Sequence, residues 1–296
     1  RWKRVVHSRC MGTKPSIKIH AQGVPGLQLT PNHLLRARSC VGKKGSMNDQ
    51  KGHAQESTPE WMRAENTKSS YVHLPLPPIE DSPYCISDWW IVGRWLGDGH
   101  VDTRGRYHIS CSKDELKELV CALGNRAGFV HTKGIVAAQI ALKDHWGHLK
   151  RLLSRFGKGA SGKKLPAEAL SLEPVKASAL LSGYLSADGH YVPKYNRWMA
   201  SSVSRALLLG MAMVAQRVHG VAASVFCGRE AGETTIQGRV VRTKQDYVLG
   251  IPPRNMSGFI TEEGAWKKVR RIEQTEEIEV WDIQVEDDES FVVEGC

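Results

Sequence analysis

Long apolar runs are missing from this 296-residue chain: no stretch approaches the ~18 uninterrupted apolar residues that a membrane-spanning helix needs. Paired cysteines are missing as well. The seven cysteines, at 10, 40, 85, 111, 121, 227 and 296, are odd in number and scattered, with no Cys-x-x-Cys among them. That argues against a zinc site or a disulfide framework and for a reducing, cytoplasmic setting. The opening Arg1-Trp2-Lys3-Arg4 lacks a methionine and no secretory pattern follows it, so a fragment or a processed product is expected. Lys and Arg are absent from Ile272 to Cys296, which carry ten acids, although the net charge is +10. By difference, residues 1–271 are near +20, a balance that suits a polyanion partner for the body and a separate role for the tail. Apolar content of 41% and charged content of 24% are those of a globular protein long enough for two domains.

What is present is a device made twice. The first copy runs Ser87-Asp88-Trp89-Trp90-Ile91-Val92-Gly93-Arg94-Trp95-Leu96-Gly97-Asp98-Gly99-His100. The second runs Ser178-Ala179-Leu180-Leu181-Ser182-Gly183-Tyr184-Leu185-Ser186-Ala187-Asp188-Gly189-His190. Each is apolar, each has small residues four apart (Gly93 and Gly97; Gly183 and Ala187), and each ends in Asp-Gly-His. Residues four apart share one face of a helix, so each segment offers a strip with almost no side-chain bulk, and two such strips allow helix backbones to approach closely. Gly99 and Gly189 suit the left-handed turn that ends a helix, which puts Asp98 and Asp188 in the last turns. If the strips pack together, the two carboxylates arrive side by side. Like charges at helix C-termini call for a divalent cation, and oxygen-only ligands point to magnesium.

Both segments resemble the paired motif of LAGLIDADG homing endonucleases, with Ile91 to Gly99 and Leu181 to Gly189 as the nine-residue copies. The first departs from the pattern at Arg94-Trp95, where the family has apolar residues. The resemblance implies an α+β fold: a pseudo-two-fold endonuclease of helix-strand-strand-helix repeats, whose two saddle sheets straddle duplex DNA.

Residues 1–41 alternate as short strands (Trp2 to His7, Ser16 to His20, Gly26 to Leu29). The following Leu29-Thr30-Pro31-Asn32-His33 resembles an intein block, with Thr30 and His33 at the positions that polarise the upstream peptide bond in splicing. Residues 42–58 read as a polar loop. Residues 59–75 return to strand character, and Leu76-Pro77-Pro78 through Pro83 forms a stiff linker. A strand (107–111), a helix (116–127) that Ser112 and Glu115 open, a strand (134–142) and a helix (144–156) follow the first copy. The second copy is followed by a strand (195–202), a helix (204–218) and a hairpin over 222–226, 234–241 and 246–251. The end of the chain, with Ile278 to Val285 as an edge-like strand, resembles the next-to-last intein block, with Asp282 at its acidic position. Three parts result: 1–78 and 264–296 as the two pieces of an all-β Hint (intein) domain, and 84–255 as the inserted endonuclease, in repeats 84–166 and 171–255.

For chemistry, Asp98 and Asp188 are the candidate catalytic ligands of Mg2+ or another divalent cation, with the peptide groups of Gly97 and Ala187 beside them. Lys163, in Gly162-Lys163-Lys164-Leu165-Pro166, resembles the basic element between the two motifs in intein endonucleases. Between Lys143 and Lys164 seven bases face one acid, Asp144, so Lys150, Arg151, Arg155, Lys158 and Lys164 are candidate phosphate contacts, helped by the glycines at 157, 159 and 162. A two-stranded ribbon fits the major groove, which makes Arg229, Gln237, Arg239, Arg242 and Lys244 candidate DNA contacts. The expected partners are double-stranded DNA and, in a precursor, a flanking host protein; a monomer with no membrane association is expected. The first reading is a site-specific double-strand endonuclease. A splicing element with a decayed nuclease and a DNA- or RNA-binding protein of the maturase type are the alternatives. Arg1 is no nucleophile and Gly295-Cys296 is no His-Asn pair, so the chain as it stands is not expected to splice.

Overall fold

The computed structural model describes residues 3–40, 47–134, 136–144, 147–236, 238–255, 258–286 and 291–292. Alternation along the first strand decides which of its faces is buried. In β1 (Val5–Ala21), Ile17, Ile19 and Ala21 point inward, while everything from Val5 to Pro15 is exposed. There follow β2 (Leu27–Leu29), β3 (Leu34–Arg38), helix α1 (Met47–Glu56), β4 (Glu60–Arg63) and β5 (Tyr71–Pro75). The expected polar loop at 42–58 is therefore largely helical. It is a polar helix docked by Ala54, which is fully buried against Tyr71 and Trp266, a tertiary contact that overrides composition.

The first lobe runs α2 (Ile86–Asp98), β6 (Gly99–Val101), β7 (Tyr107–Ser112), α3 (Leu116–Leu123), β8 (Ala127–Lys133), β9 (Ala137–Leu142) and α4 (His148–Leu153). A short helix, α5 (Ala167–Leu170), leads to the second lobe. That lobe runs α6 (Pro174–Asp188), β10 (Gly189–Val192), β11 (Arg197–Ser202), α7 (Arg205–His219), β12 (Ser224–Cys227), β13 (Gly232–Ile236), β14 (Arg239–Thr243) and β15 (Tyr247–Ile251). The chain closes with β16 (Phe259–Thr261) and β17 (Gly264–Val285).

The structure is a mixed α+β fold of antiparallel sheets. The lobes share one order: the sheets read β6-β7-β9-β8 and β10-β11-β15-β12. The hairpin expected over 222–251 is built differently. Residues 224–227 pair with 247–250, and β13 and β14 form a separate two-stranded ribbon inserted between them. Strands β6, β8 and β10, not foreseen, complete the sheets. Strands from the two ends of the chain share a third sheet, β2-β1-β17-β5-β3-β4, with β16 against β17. The strands expected at Trp2 to His7 and Ser16 to His20 are one strand of 17 residues, that at Gly26 to Leu29 is β2, and that at Ile278 to Val285 is the end of a strand of 22 residues; the pairing of the two long strands is broken only by register shifts.

The two motif helices lie at the centre of one core. Trp89, Val92, Trp95, Leu96, Leu180, Leu181 and Tyr184 are all within 1% of full burial, and the larger of these side chains contribute roughly 1.5–3 kcal/mol each. The helices touch backbone to backbone, and they do so reciprocally. A Cβ at Gly93 would land on the Leu180 carbonyl oxygen and 2.7 Å from the Tyr184 nitrogen; a Cβ at Gly183 would land on the Trp90 carbonyl oxygen and 2.9 Å from the Arg94 nitrogen. The left-handed caps expected at Gly99 and Gly189 are absent. Both residues are extended (φ −88° and −85°) and begin β6 and β10. Their lack of a side chain serves proximity instead, since a Cβ would strike the carbonyl of Trp95 or Leu185, one turn back.

The end-sheet is tied to the second lobe by polar groups. Val225 N donates to Gly23 O at 2.8 Å and Arg205 Nη2 to Gly26 O at 3.0 Å. Lys267, fully buried on β17, donates to Ala222 O at 2.8 Å.

Alanine is about 1 kcal/mol better than glycine in an isolated helix, yet Gly93→Ala is expected to lower stability by about 2–3 kcal/mol in urea unfolding, because the helices must part. A second expectation concerns pH. Burial pushes the Lys267 ammonium from 10.5 down to about 7. Between those values the unfolded chain holds a proton that the native state lacks, so this residue makes stability rise with pH from about 7 to 10.5 and depresses it most below 7. Urea titrations of Lys267→Met across that range should show a shallower rise than the wild type.

Candidate active site

Asp98 and Asp188 stand at the ends of α2 and α6, brought together by the strip of small residues. Gly97 faces Ala187, and a Cβ on Gly97 would come within 3.3 Å of the Asp188 carboxyl carbon. A cavity of about 310 Å³ opens at this seam, lined by Leu96, Gly97, Lys163, Asp188, Ser201 and Asp246 among others. Asp98 does not line it.

The two carboxylates live in different surroundings. Burial, reinforced by the charge of Asp98, pushes Asp188 up to about 6, against the pull of Lys163 and Arg94. No described residue donates a hydrogen bond to it. Asp98 is also raised by burial, which outweighs Arg94. Unlike Asp188 it has a partner, the Arg94 guanidinium at 3.0 Å one turn back on the same helix.

Lys163 is 5% exposed. Its Nζ lies 2.8 Å from Gly99 O, 2.9 Å from Leu96 O, 3.1 Å from Trp95 O and 3.3 Å from Gly97 O. An ammonium has three donors, so these carbonyls at the end of α2 occupy all of them. Lys163 therefore offers the cavity its charge rather than a free N–H, while satisfying orphan carbonyls and opposing the helix dipole. Burial lowers it to about 8, with Asp188 and Asp98 pulling the other way. Ser204 holds the segment by donating to Lys163 O at 2.6 Å while capping α7 through Leu207 N.

The remaining candidates divide. Lys150, Arg151, Lys158 and Lys164 are exposed around α4 and the loop after it. Asp144, the one acid of that run, caps α4 by accepting from Leu149 N at 3.2 Å and Lys150 N at 2.7 Å. Arg155 is paired with Glu168, Arg229 with Asp246 at 3.4 Å, and Arg242 with Glu233 at 3.2 Å. Lys244 reaches Ser161 Oγ at 3.2 Å, beside the Lys163 segment. Gln237 lies outside the described residues, as does the side chain of Arg239, whose backbone is in β14. Since β13 and β14 stand apart from the four-stranded sheets, residues unforeseen in the sequence occupy the open sheet faces. In the first lobe these are His108, Ser110 and Gln139, with His100 stacked 5.2 Å from His108. In the second they are Met199, Ser201 and Val248. Only the register of the strands reveals them.

Far from the seam, Thr30 and His33 line a cleft of about 400 Å³ in the end-sheet, with Trp61 and Trp281. Burial lowers the His33 pKa. Asp282 is exposed, paired across the ladder with Arg9, and lies outside the cleft lining.

No family profile matches the chain, and no curated protein matches it in sequence. Among solved structures it is similar to mesophilic variants of the homing endonuclease I-DmoI, at 13% identity and a TM-score of 0.35, over 56% of this chain and 84% of that one. It is similar also to an I-DmoI variant in complex with its target DNA in the presence of magnesium, at 14% identity and a TM-score of 0.35, over 56% of this chain and 88% of that one. At this level of likeness the chemistry has to come from the chain's own residues.

Replacing Lys163 with methionine strands buried carbonyls without donors, so Lys163→Met is expected to cost about 1–3 kcal/mol in urea unfolding. Unchanged stability would mean that these carbonyls find water instead.

Proposed function

We propose that the chain is a metal-dependent DNA endonuclease of the LAGLIDADG type. One observation carries the reading: two helices joined through bare backbone bring two acids together at their ends, and one of these, Asp188, opens on a polar cavity beside a buried lysine. Helices packed for stability alone need neither the acids nor the cavity, and burying carboxylates at helix C-termini costs stability unless a cation answers them.

The residues fit a hard divalent ion. Among the described residues no three His, Cys, Asp or Glu side chains cluster, but magnesium is commonly held by one or two carboxylates and keeps several waters. Asp188 takes a hydrogen bond from no described residue, and the side chains beside it in the cavity that could ligate an ion, those of Ser201, Ser202 and Asp246, offer oxygen; the Lys163 ammonium is spent on carbonyls. Asp188 would hold the ion, with Asp98 and the peptide oxygen of Ala187 as the other candidates; Gly97 O is already engaged by Lys163. When bound, such an ion lowers the pKa of water and offsets charge on the transferring phosphoryl group. The chain's own part is to place Asp188 beside Lys163, whose charge favours an anionic phosphate at the cavity mouth.

The net charge near +20 outside the tail suits duplex DNA, and Lys150, Arg151, Lys158 and Lys164 are, with Arg155 set aside for its pairing with Glu168, the exposed bases nearest in sequence to Lys163. The reading extends to an intein-like frame, a Hint domain divided by the nuclease, with a host protein flanking it in a precursor and a monomer acting in the cytoplasm. Its support is that both chain ends enter one sheet and that Thr30 and His33 share a cleft there. A second reading, nucleic-acid binding without cleavage, is favoured by one feature, the ion pair that already occupies Asp98.

A randomised duplex library incubated with the protein and magnesium, then denatured so that the new ends of nicked and fully cut strands alike are recovered by single-strand adaptor ligation, decides between the two. Cleavage at a discrete sequence is expected, slowed about 10²-fold or more by Asp188→Asn with DNA binding retained. Binding of the library with no cut ends would leave only the second reading.

A further inference from the structure

The two halves of the seam are related by the internal repeat, so each residue near Asp98 has a counterpart near Asp188. One turn before Asp98 stands Arg94; one turn before Asp188 stands Tyr184. Immediately before α3 stands Glu115; immediately before α7 stands Ser204. The counterparts differ in charge, and that difference changes what each half can hold.

In the first half, Arg94 is 3% exposed. Its Nη2 lies 3.0 Å from Asp98 and 3.6 Å from Glu115, and its Nη1 donates to Ser186 O on the other motif helix. A guanidinium cannot shed its proton in a protein, and this one is walled in and tied across the seam. A divalent ion placed against Asp98 would therefore meet a fixed positive charge already in contact with that carboxylate. In the second half the equivalent side chains bring no charge; Lys163 lines the cavity, but it spends its N–H groups on the carbonyls at the end of α2 and is not ion-paired with Asp188 as Arg94 is with Asp98. The Tyr184 hydroxyl is buried with no hydrogen-bond partner among the described residues, and Ser204 is spent on Lys163 O and the α7 cap. The cavity of about 310 Å³ lies on this side, lined by Asp188 and not by Asp98.

We infer that the seam holds a single divalent ion, at Asp188, that Arg94 takes the place of a second one at Asp98, and that, with one acid serving each strand, the protein cuts one strand of the duplex. The strand clause rests on the nuclease reading above; the ion count stands apart from it. Arg94 is a positioning residue here, a built-in counter-charge for Asp98 rather than a group that meets the substrate.

Calorimetric titration of the full chain with MnCl2 tests the count. The wild type is expected to take up one Mn2+, and Asp188→Asn to weaken that binding about 10-fold or more. Arg94→Met should bind two. Because Arg94→Met leaves Asp98 and Glu115 without their cation, Arg94→Gln, which keeps a donor for Ser186 O, is titrated beside it, with circular dichroism to confirm that both variants are folded. Two ions in the wild type, or a count that stays at one in both folded Arg94 variants, overturns the inference; no ion at all overturns it together with the nuclease reading. On a supercoiled plasmid carrying the recovered target, nicked circles should accumulate with every nick on one strand, and linear DNA forming as fast as nicks would overturn the strand clause. A single Mn2+ that depends on Asp188, with the plasmid left intact, overturns the nuclease reading and leaves the ion count in place.

Discussion

Everything in the middle of this protein depends on how closely α2 and α6 approach. The Gly93 and Gly183 positions each face peptide atoms of the other helix, so the separation is set by backbone and not by side chains. Larger residues at either position would push the helices apart. They would also separate the two sheets that the helices carry and the two acids at their ends. Close packing of this kind is intolerant, because neither partner has a flexible group that can give way.

The same closeness creates an electrostatic problem, which the chain solves with buried cations. Carbonyls at the end of α2 and carboxylates at the ends of both helices converge at one place. Lys163 answers the carbonyls, and Arg94 answers Asp98 and Glu115. Each is more than nine-tenths buried, where removing the cation would leave the opposite partners unsatisfied at a cost of several kcal/mol. Asp188 takes a hydrogen bond from no described residue, and burial, with the charge of Asp98, raises it against the pull of Lys163 and Arg94.

Around this centre the chain ends supply a frame. β1 and β17 run side by side over most of their lengths, and Lys267 and Arg205 bind that frame to the second lobe through peptide oxygens. Arg217 adds a bond to Leu170 O at 3.1 Å, anchoring α7 to the short connection before α6. The second lobe is thus held from both sides. By contrast, the outer part of β1, from Val5 to Pro15, is exposed throughout.

The repeated Gly-x-x-x-small-Asp-Gly-His pattern made the two helices, their packing faces and the acids at their ends legible without coordinates, because helical periodicity is local. The capping pair Ser112 and Glu115 was legible for the same reason, and the reciprocal bonds between them are present at 2.8–3.2 Å. Legibility stopped where the outcome depends on residues far apart in sequence. Nothing local shows that Lys163 spends its hydrogen bonds on a helix 64 or more positions away, that Arg155 and Arg229 are drawn into ion pairs, or that β13 and β14 leave the sheet they interrupt. Composition at 47–56 said loop, and a buried alanine made it a docked helix. The sequence by itself determined a duplicated helix with an acid at its end. Only the tertiary structure decided that the two acids are unequal, because charge balance in a buried seam depends on which side chains from other elements reach it.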